Sequence, residues 1–301
     1  MHCINAVFQP SNPADVPARK EPISVKKLGK GDASWQTHGR ILGWDVNTLS
    51  KTLHLPEHRR TDILDRINRA TNQRRTPKKE WEKLLGCVRN AVFAIQGGIG
   101  HLSLAQSALS TARRSTVTLT NRARSQLRTI ASFMSSKDRP SHWSEIVPQR
   151  PAVIGACDAA KSGMGGVIFG SDTPLVWRSR FPTHVQDEVV SFDNPAGAVT
   201  NSDLELAGTI AQEATAASIF DVKHSTIHTF CNNTPAIAWR RKGARSTLNC
   251  GADLLAVASR LHRSHAFLPT LQHIAGEKNQ MADDASCCWD LSNSDFLSHF
   301  D

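Results

Sequence analysis

Hydrophobic spacing changes character near the middle of the chain. In the first half, apolar residues recur at helical intervals. "TPKKEWEKLLGCVRNAVFAIQ" places Trp81, Leu84, Leu85, Val88, Val92 and Ile95 on one stripe, which predicts an amphipathic helix. Thr76 is positioned to cap it and Pro77 to fill its first turn. "PEHRRTDILDRINRA" repeats the pattern with Ile63, Leu64 and Ile67, opened by Pro56, and "LTNRARSQLRTIASFMSS" predicts a third helix. Ahead of them, "RILGWDVNTLSKTLHLP" alternates apolar and polar residues. It predicts a short hairpin of strands 41–46 and 52–55 turning near Asn47.

The second half opens with strand-like runs. "AVIGACDAA" is an apolar strand ending at Asp158, and "GMGGVIFG" and "PLVWRSRF" follow across Gly and Asp/Thr/Pro turns. A long helix, "NSDLELAGTIAQEATAASIF", precedes the strand "STIHTFC". Two helices, "TPAIAWRRKG" and "CGADLLAVASRLHRSHA", then the strand "FLPTLQHIA" and the helix "NQMADDASCC" complete the order. Three strands, helix, strand, helices, strand, helix predicts a mixed five-stranded α/β sheet with helices packed on it and a site at strand ends. The Pro-rich stretch 140–151 separates the halves. The expected organisation is an irregular arm over 1–34, a mainly helical domain over 35–139, a linker, an α/β domain over 152–290 and a tail over 291–301.

Charge sharpens this division. The net charge is +9, and 25 of the 36 Lys/Arg but only 11 of the 27 Asp/Glu fall in residues 1–150. A basic half beside an acidic half points to a polyanion-binding surface next to a cation site. Candidate phosphate contacts are Arg122, Arg124 and Arg128 in the first half and Trp239, Arg240, Arg241 and Lys242 in the second. The seven cysteines contain no CxxC pair, which argues against a zinc ribbon and fits a reducing, intracellular compartment, cytoplasmic or nuclear. No apolar run approaches the roughly 20 residues that span a bilayer, so no membrane partner is expected.

The candidate chemistry lies in carboxylates. Asp158 follows a buried apolar run, where an unpaired charge is costly. Glu205 ends "SDLE", which reads as a capping box from Ser202. Asp283 and Asp284 open the last helix, where the dipole already favours acids. Each has an ordinary explanation alone. Together with Asn232, which ends the strand beside the first, they offer hard oxygen ligands for Mg²⁺ or Mn²⁺. Two such ions, about 3.5–4 Å apart, support phosphodiester hydrolysis.

"CDAAKSGMGGVIFG", "NSDLELAG", "CNNTPAIAWRRKG" and "HIAGEKNQMADDAS" resemble, in order, the successive motifs of a retroelement RNase H domain. The flavour is similar to the DIRS-like reverse transcriptases of fungi, oomycetes and slime moulds. "RILGWDVNTLSKTLHLPEHR" resembles the end of a reverse-transcriptase palm, and "TPKKEWEKLLGCVRNAVFAI" the thumb helix that follows. The resemblance spans about residues 35–290. It implies an RNase H-like domain preceded by a thumb-like one, as in the C-terminal part of a reverse transcriptase.

By that resemblance Asp158, Glu205 and Asp283 are metal ligands, Asn279 is a positional companion, Asp284 a bystander and His273 a candidate proton shuttle. The resembled motif reads Asp-Asn-Thr where this chain has Asn232-Asn233-Thr234. Asparagine keeps one carbonyl ligand but loses a negative charge and adds a donor. Hydrolysis of RNA–DNA hybrids is therefore expected to be weakened or lost, with occupancy of a second metal position in doubt. The alternatives are a non-catalytic nucleic-acid-binding module and an inactive retroelement remnant. The chain contains no tyrosine, so no "YxDD"-type polymerase motif is present and DNA synthesis by these residues is excluded.

Overall fold

The computed structural model describes residues 36–95, 97–112, 115–135, 140–170, 172–243 and 249–300. The arm expected over 1–34 lies outside the described residues.

Three strands open the described chain: β1 (His38–Ile41), β2 (Trp44–Asn47) and β3 (Thr52–His54), paired antiparallel. The expected strand over 41–46 is interrupted. Leu42 (φ 50°) and Gly43 (φ 84°) form the two-residue turn between β1 and β2, where both central residues need positive φ. An apolar leucine hides this turn from a hydrophobicity pattern. The helices α1 (Glu57–Asn72), α2 (Lys78–Val92), α3 (Ser103–Ser110) and α4 (Asn121–Ser135) pack around Ile63, Ile67, Trp81, Val88, Leu127 and Ile130.

Two expectations about α2 change. Thr76 and Pro77 form the two-residue strand β4, paired with β5 (Thr116–Val117), and Pro77 rather than Thr76 stands at the N-cap. Helix α3 had no strong periodicity; it is held where Ala105 O accepts the indole N–H of the fully buried Trp81 at 3.2 Å. Within 140–151, β6 (Ser141–His142) joins β3 as the fourth strand of the small sheet.

The second half forms the expected mixed sheet. Its strands are β7 (Pro151–Ala160), β8 (Gly163–Phe169), β9 (Leu175–Arg180), β10 (Thr226–Cys231) and β11 (Leu268–His273), in the order β11-β10-β7-β8-β9. The first three make an antiparallel meander; β10 lies parallel to β7, and β11 parallel to β10. Around the sheet stand α5 (Thr183–Asp187), α6 (Asn201–Ile219), α7 (Thr234–Lys242), α8 (Asn249–His265), α9 (Gln280–Cys287) and α10 (Asn293–Ser298), the last within the stretch read as a tail.

Side-chain alternation in β8 assigns the two faces. A Cβ at Gly166 would meet Gln212 of α6, and one at Gly165 would meet the Ala285 backbone of α9 at 2.4 Å. Successive strand residues point to opposite faces, so α6 and α9 cover opposite sides of the sheet. The helical half docks on α8: Gly100 lies against Leu255, Gly97 against Ser259, and Arg122 pairs with Asp253.

Candidate functional site

Asp158 sits on the central strand β7, directly opposite Gly165 on β8. It is inside the strand, two residues before its end, rather than at the terminus. Only glycine at 165 lets α9 approach this closely, because a side chain there would collide with backbone. The approach brings Ser286 Oγ to donate to Asp158 Oδ2 at 2.9 Å. From the other side Asn232 Nδ2 donates to Asp158 Oδ1 at 2.9 Å. A carboxylate oxygen needs a donor, so the amide N–H₂ faces Asp158 and the amide carbonyl faces away. That carbonyl Oδ1 is buried without a hydrogen-bond partner. Asn233 does the helix capping: its Oδ1 accepts from Ala236 N at 2.9 Å. Asn232 is thereby released from the turn to face the sheet end.

Glu205 lies on the second turn of α6 and is 3% exposed. The expected Ser202–Glu205 capping box is absent. Thr200 caps α6 instead, in a reciprocal box with Asp203: Thr200 Oγ1 accepts from Asp203 N at 3.3 Å, and Asp203 Oδ2 accepts from Thr200 N at 2.9 Å. Glu205, two residues on, turns into the sheet, where its neighbours are the Cys231 thiol (Sγ to Oε2 3.9 Å) and the Ala159 backbone.

Burial, with Cys231 and Asp158 acting in the same direction, pushes the Glu205 carboxyl up to about 9. Burial also raises Asp158, and the nearby Asp283 charge adds to it, against the lowering bonds from Ser286 and Asn232. Among the described residues no Lys, Arg or His side chain pairs with Asp158 or Glu205. Asp283 is exposed on α9. The four residues Asp158, Glu205, Asn232 and Asp283 thus gather at one end of the sheet, but not as a tight cage. Among the described residues the only set of three ligand-type side chains with all donor atoms within 4.8 Å of one another lies elsewhere, at Asp284, Cys288 and His299.

Two buried carboxyls without a cation fit a divalent ion, which would find Asp158, Glu205 and Asp283 as ligands. The Asn232 amide fits it less well, since its donor side already occupies Asp158. Asn279 is buried at the start of α9 and donates from Nδ2 to Cys157 O at 3.1 Å, tying that helix to β7. His273 is exposed at the end of β11, level with Cys231. Ser286 went unrecognised in the sequence; the signal was its helical i+3 spacing from Asp283.

The candidate phosphate contacts divide. Arg128, Arg241 and Lys242 are exposed, although Arg241 Nη2 also donates to Leu271 O at 2.7 Å. Trp239 and Arg240 turn inward. Trp239 packs in a core cluster with Leu206, Ile210 and Leu255, and the Arg240 guanidinium is committed to Glu213. In the first half Arg122 pairs with Asp253, and Arg124 donates to the carbonyls of Thr71 and Gln73.

No protein-family model matches the chain, and no curated protein matches it. Among solved structures, the foamy viral protease-reverse transcriptase dRH in complex with double-stranded DNA is similar over 79% of this chain and 38% of its own length, at 14% identity and a TM-score of 0.31. RNase H1 from Halobacterium salinarum NRC-1 is similar over 44% of this chain and 92% of its own, at 17% identity and a TM-score of 0.30. LC11-RNase H1 in complex with an RNA/DNA hybrid matches with the same coverage at 12% identity and a TM-score of 0.30. The chain spans well under half the length of the viral enzyme it matches. The meander followed by two parallel strands, with helices on both faces, is an RNase H-like fold.

Proposed function

We propose that this chain is the C-terminal part of a retroelement reverse transcriptase whose RNase H-like unit engages RNA–DNA hybrids. Asp158, Glu205 and Asp283 would hold Mg²⁺ or Mn²⁺, and Asn232 has weakened the site. The observation that carries this reading is the bond from Asn232 Nδ2 to Asp158 Oδ1, which joins a residue inside β7 to the one directly after β10, 74 positions apart. When bound, a divalent cation supplies charge for the developing phosphate oxyanion and lowers the pKa of a water. The chain's own part is to keep Asp158 and Glu205 desolvated, Asp158 fixed by Ser286 and α9 held down by Gly165. The exposed Arg128, Arg241 and Lys242 are candidate contacts for hybrid phosphates.

A non-catalytic binding role is the second reading, favoured by one observation: both Asp158 oxygens already accept hydrogen bonds. Hydrolysis of the labelled RNA strand of a hybrid in Mn²⁺ separates the two. Under the first reading the chain cuts slowly, Asn232→Asp raises the rate about 100-fold, and Asp158→Asn abolishes it. Hybrid binding without cleavage by Asn232→Asp would establish the second. Loss of both binding and cleavage would end the proposal.

A further inference from the structure

Helix α9 and its C-cap residue Cys288 carry two interleaved Asp–Cys pairs in "DDASCC", Asp283 with Cys287 and Asp284 with Cys288. Each pair is four residues apart, so each lies on one helix face. Asp283 belongs with the Asp158 site. Asp284 faces α10 instead, where His299 Nε2 lies 3.1 Å from its Oδ2. With Cys288 the donor atoms of all three residues are within 4.8 Å of one another. We infer that Asp284, Cys288 and His299 form a metal site of their own, separate from the Asp158–Glu205 cluster and suited to zinc.

The donor set decides the ion. A thiolate and an imidazole disfavour Mg²⁺ and Ca²⁺, whereas Zn²⁺ takes Cys, His and Asp together. The spacing is already close. With Zn–N of about 2.0 Å and Zn–O of about 2.1 Å, tetrahedral coordination sets N···O near about 3.3 Å. The observed separation is 3.1 Å. Asp284 is also oriented from behind: Gln280 Nε2 donates to its Oδ1 at 2.8 Å, leaving Oδ2 toward His299. Such an outer partner is the usual accompaniment of a ligating carboxylate. Three protein ligands leave the fourth position for water.

The backbone between the ligands is anchored without any ion. Arg178 on β9 donates to Cys288 O at 2.6 Å, to Leu291 O at 3.1 Å and to Asn293 Oδ1 at 2.9 Å, and its guanidinium stacks 3.9 Å over the Phe296 ring. Arg180 donates to Trp289 O at 3.0 Å. The ligands are therefore held in place before the ion arrives, and the metal would staple α10 to α9 rather than fold either.

The test uses the metal-stripped full chain titrated with Co²⁺ as a spectroscopic stand-in for Zn²⁺, then with Zn²⁺ in competition. One equivalent should give a tetrahedral Co²⁺ spectrum with a thiolate-to-metal charge-transfer band, which Zn²⁺ displaces. Cys288→Ser and His299→Ala should lose the band while circular dichroism is unchanged. Gln280→Ala should weaken binding about tenfold. The neighbouring Cys287→Ser should keep both band and affinity. A band that is absent from the unmodified chain, survives Cys288→Ser or disappears with Cys287→Ser would overturn the assignment.

Discussion

Two glutamates on one helix make the instructive contrast. Glu205 and Glu213 lie about two turns apart on α6, and both are buried. Glu213 is fully enclosed, and burial alone would raise its carboxyl. The Arg240 charge, a bond from His262 Nε2 at 2.9 Å and the nearness of both groups outweigh that, so the net shift is downward. Burial lowers His262 from its ordinary value and the Arg240 charge adds to that, against the raising contact with Glu213. Glu205 has the same side chain and is also buried, yet among the described residues its neighbours are a thiol, the Ala159 backbone and the like charge of Asp158, and its carboxyl rises to about 9. The difference is what crosses over from other elements. Helices α7 and α8 deliver Arg240 and His262 to one glutamate, and among the described residues no Lys, Arg or His pairs with the other. A buried carboxyl that the chain compensates is architecture; one left uncompensated holds a proton until a cation displaces it.

The largest expected effect breaks the compensated half. Arg240→Met leaves Glu213 buried without its guanidinium partner, and stability to urea should fall by about 3–5 kcal/mol. Adding Glu213→Gln to it should restore much of that loss, since neither charge then remains. A variant that lost hybrid affinity but kept its stability would make Arg240 a phosphate contact, and the contrast would fail.

Next comes the uncompensated half. Glu205 keeps its proton in the folded chain up to about pH 9, while the unfolded chain releases it near 4.5. Between those values the folded state binds the extra proton, so this group makes stability fall as pH rises. Glu205→Gln should flatten that slope and gain no more than about 3 kcal/mol at pH 7 in EDTA. Thermal melts of both chains from pH 5 to pH 9 would measure it. Mn²⁺ should stabilise the unmodified chain most at high pH, where displacing the proton is easiest.

Asn232→Asp sharpens the same point from the neighbouring residue. It replaces a donor to Asp158 with a like charge, so in EDTA the chain should lose about 2 kcal/mol at pH 7. Mn²⁺ should return more than that loss, and the Mn²⁺-dependent rise in Tm should exceed that of the unmodified chain. Equal rises would mean that residue 232 does not face the ion.

The sheet was legible because its evidence is local. Gly and Asp/Thr/Pro turns delimit β7, β8 and β9, and Thr234-Pro235 opens α7 directly after β10. The meeting of Asp158 with Asn232 followed from the parallel pairing of β7 and β10. What stayed hidden depends on partners distant in sequence. "WRRK" reads as a solvated basic helix end, and Glu213, which buries Arg240, stands 27 residues earlier. Arg124 reads as a phosphate ligand, yet it closes the end of α1 through carbonyls 51 and 53 residues away. Asp284 looked idle because α10 and His299 carry too little periodicity to show where they fold back.

The smallest expected effect bears on why Glu205 is available at all. "TNSDLE" contains two overlapping cap patterns, Thr200 with Asp203 and Ser202 with Glu205, and the sequence cannot rank them. The register is decided by the chain's approach, where Val199 bridges Val189 just before α6 begins. Thr200 Oγ1 bonds Asp203 Oδ2 at 2.7 Å as well as accepting from its backbone, so Thr200→Ala should cost about 1 kcal/mol. Ser202→Ala should stay within about 0.5 kcal/mol, as a substitution outside the cap. Neither should change the Mn²⁺-dependent rise in Tm, because neither side chain takes part in the carboxylate cluster. A costly Ser202→Ala beside a neutral Thr200→Ala would move the helix start two residues on. Glu205 would then be bound to its own cap backbone, its carboxyl already satisfied, and it would stand with Glu213 as architecture rather than opposite it.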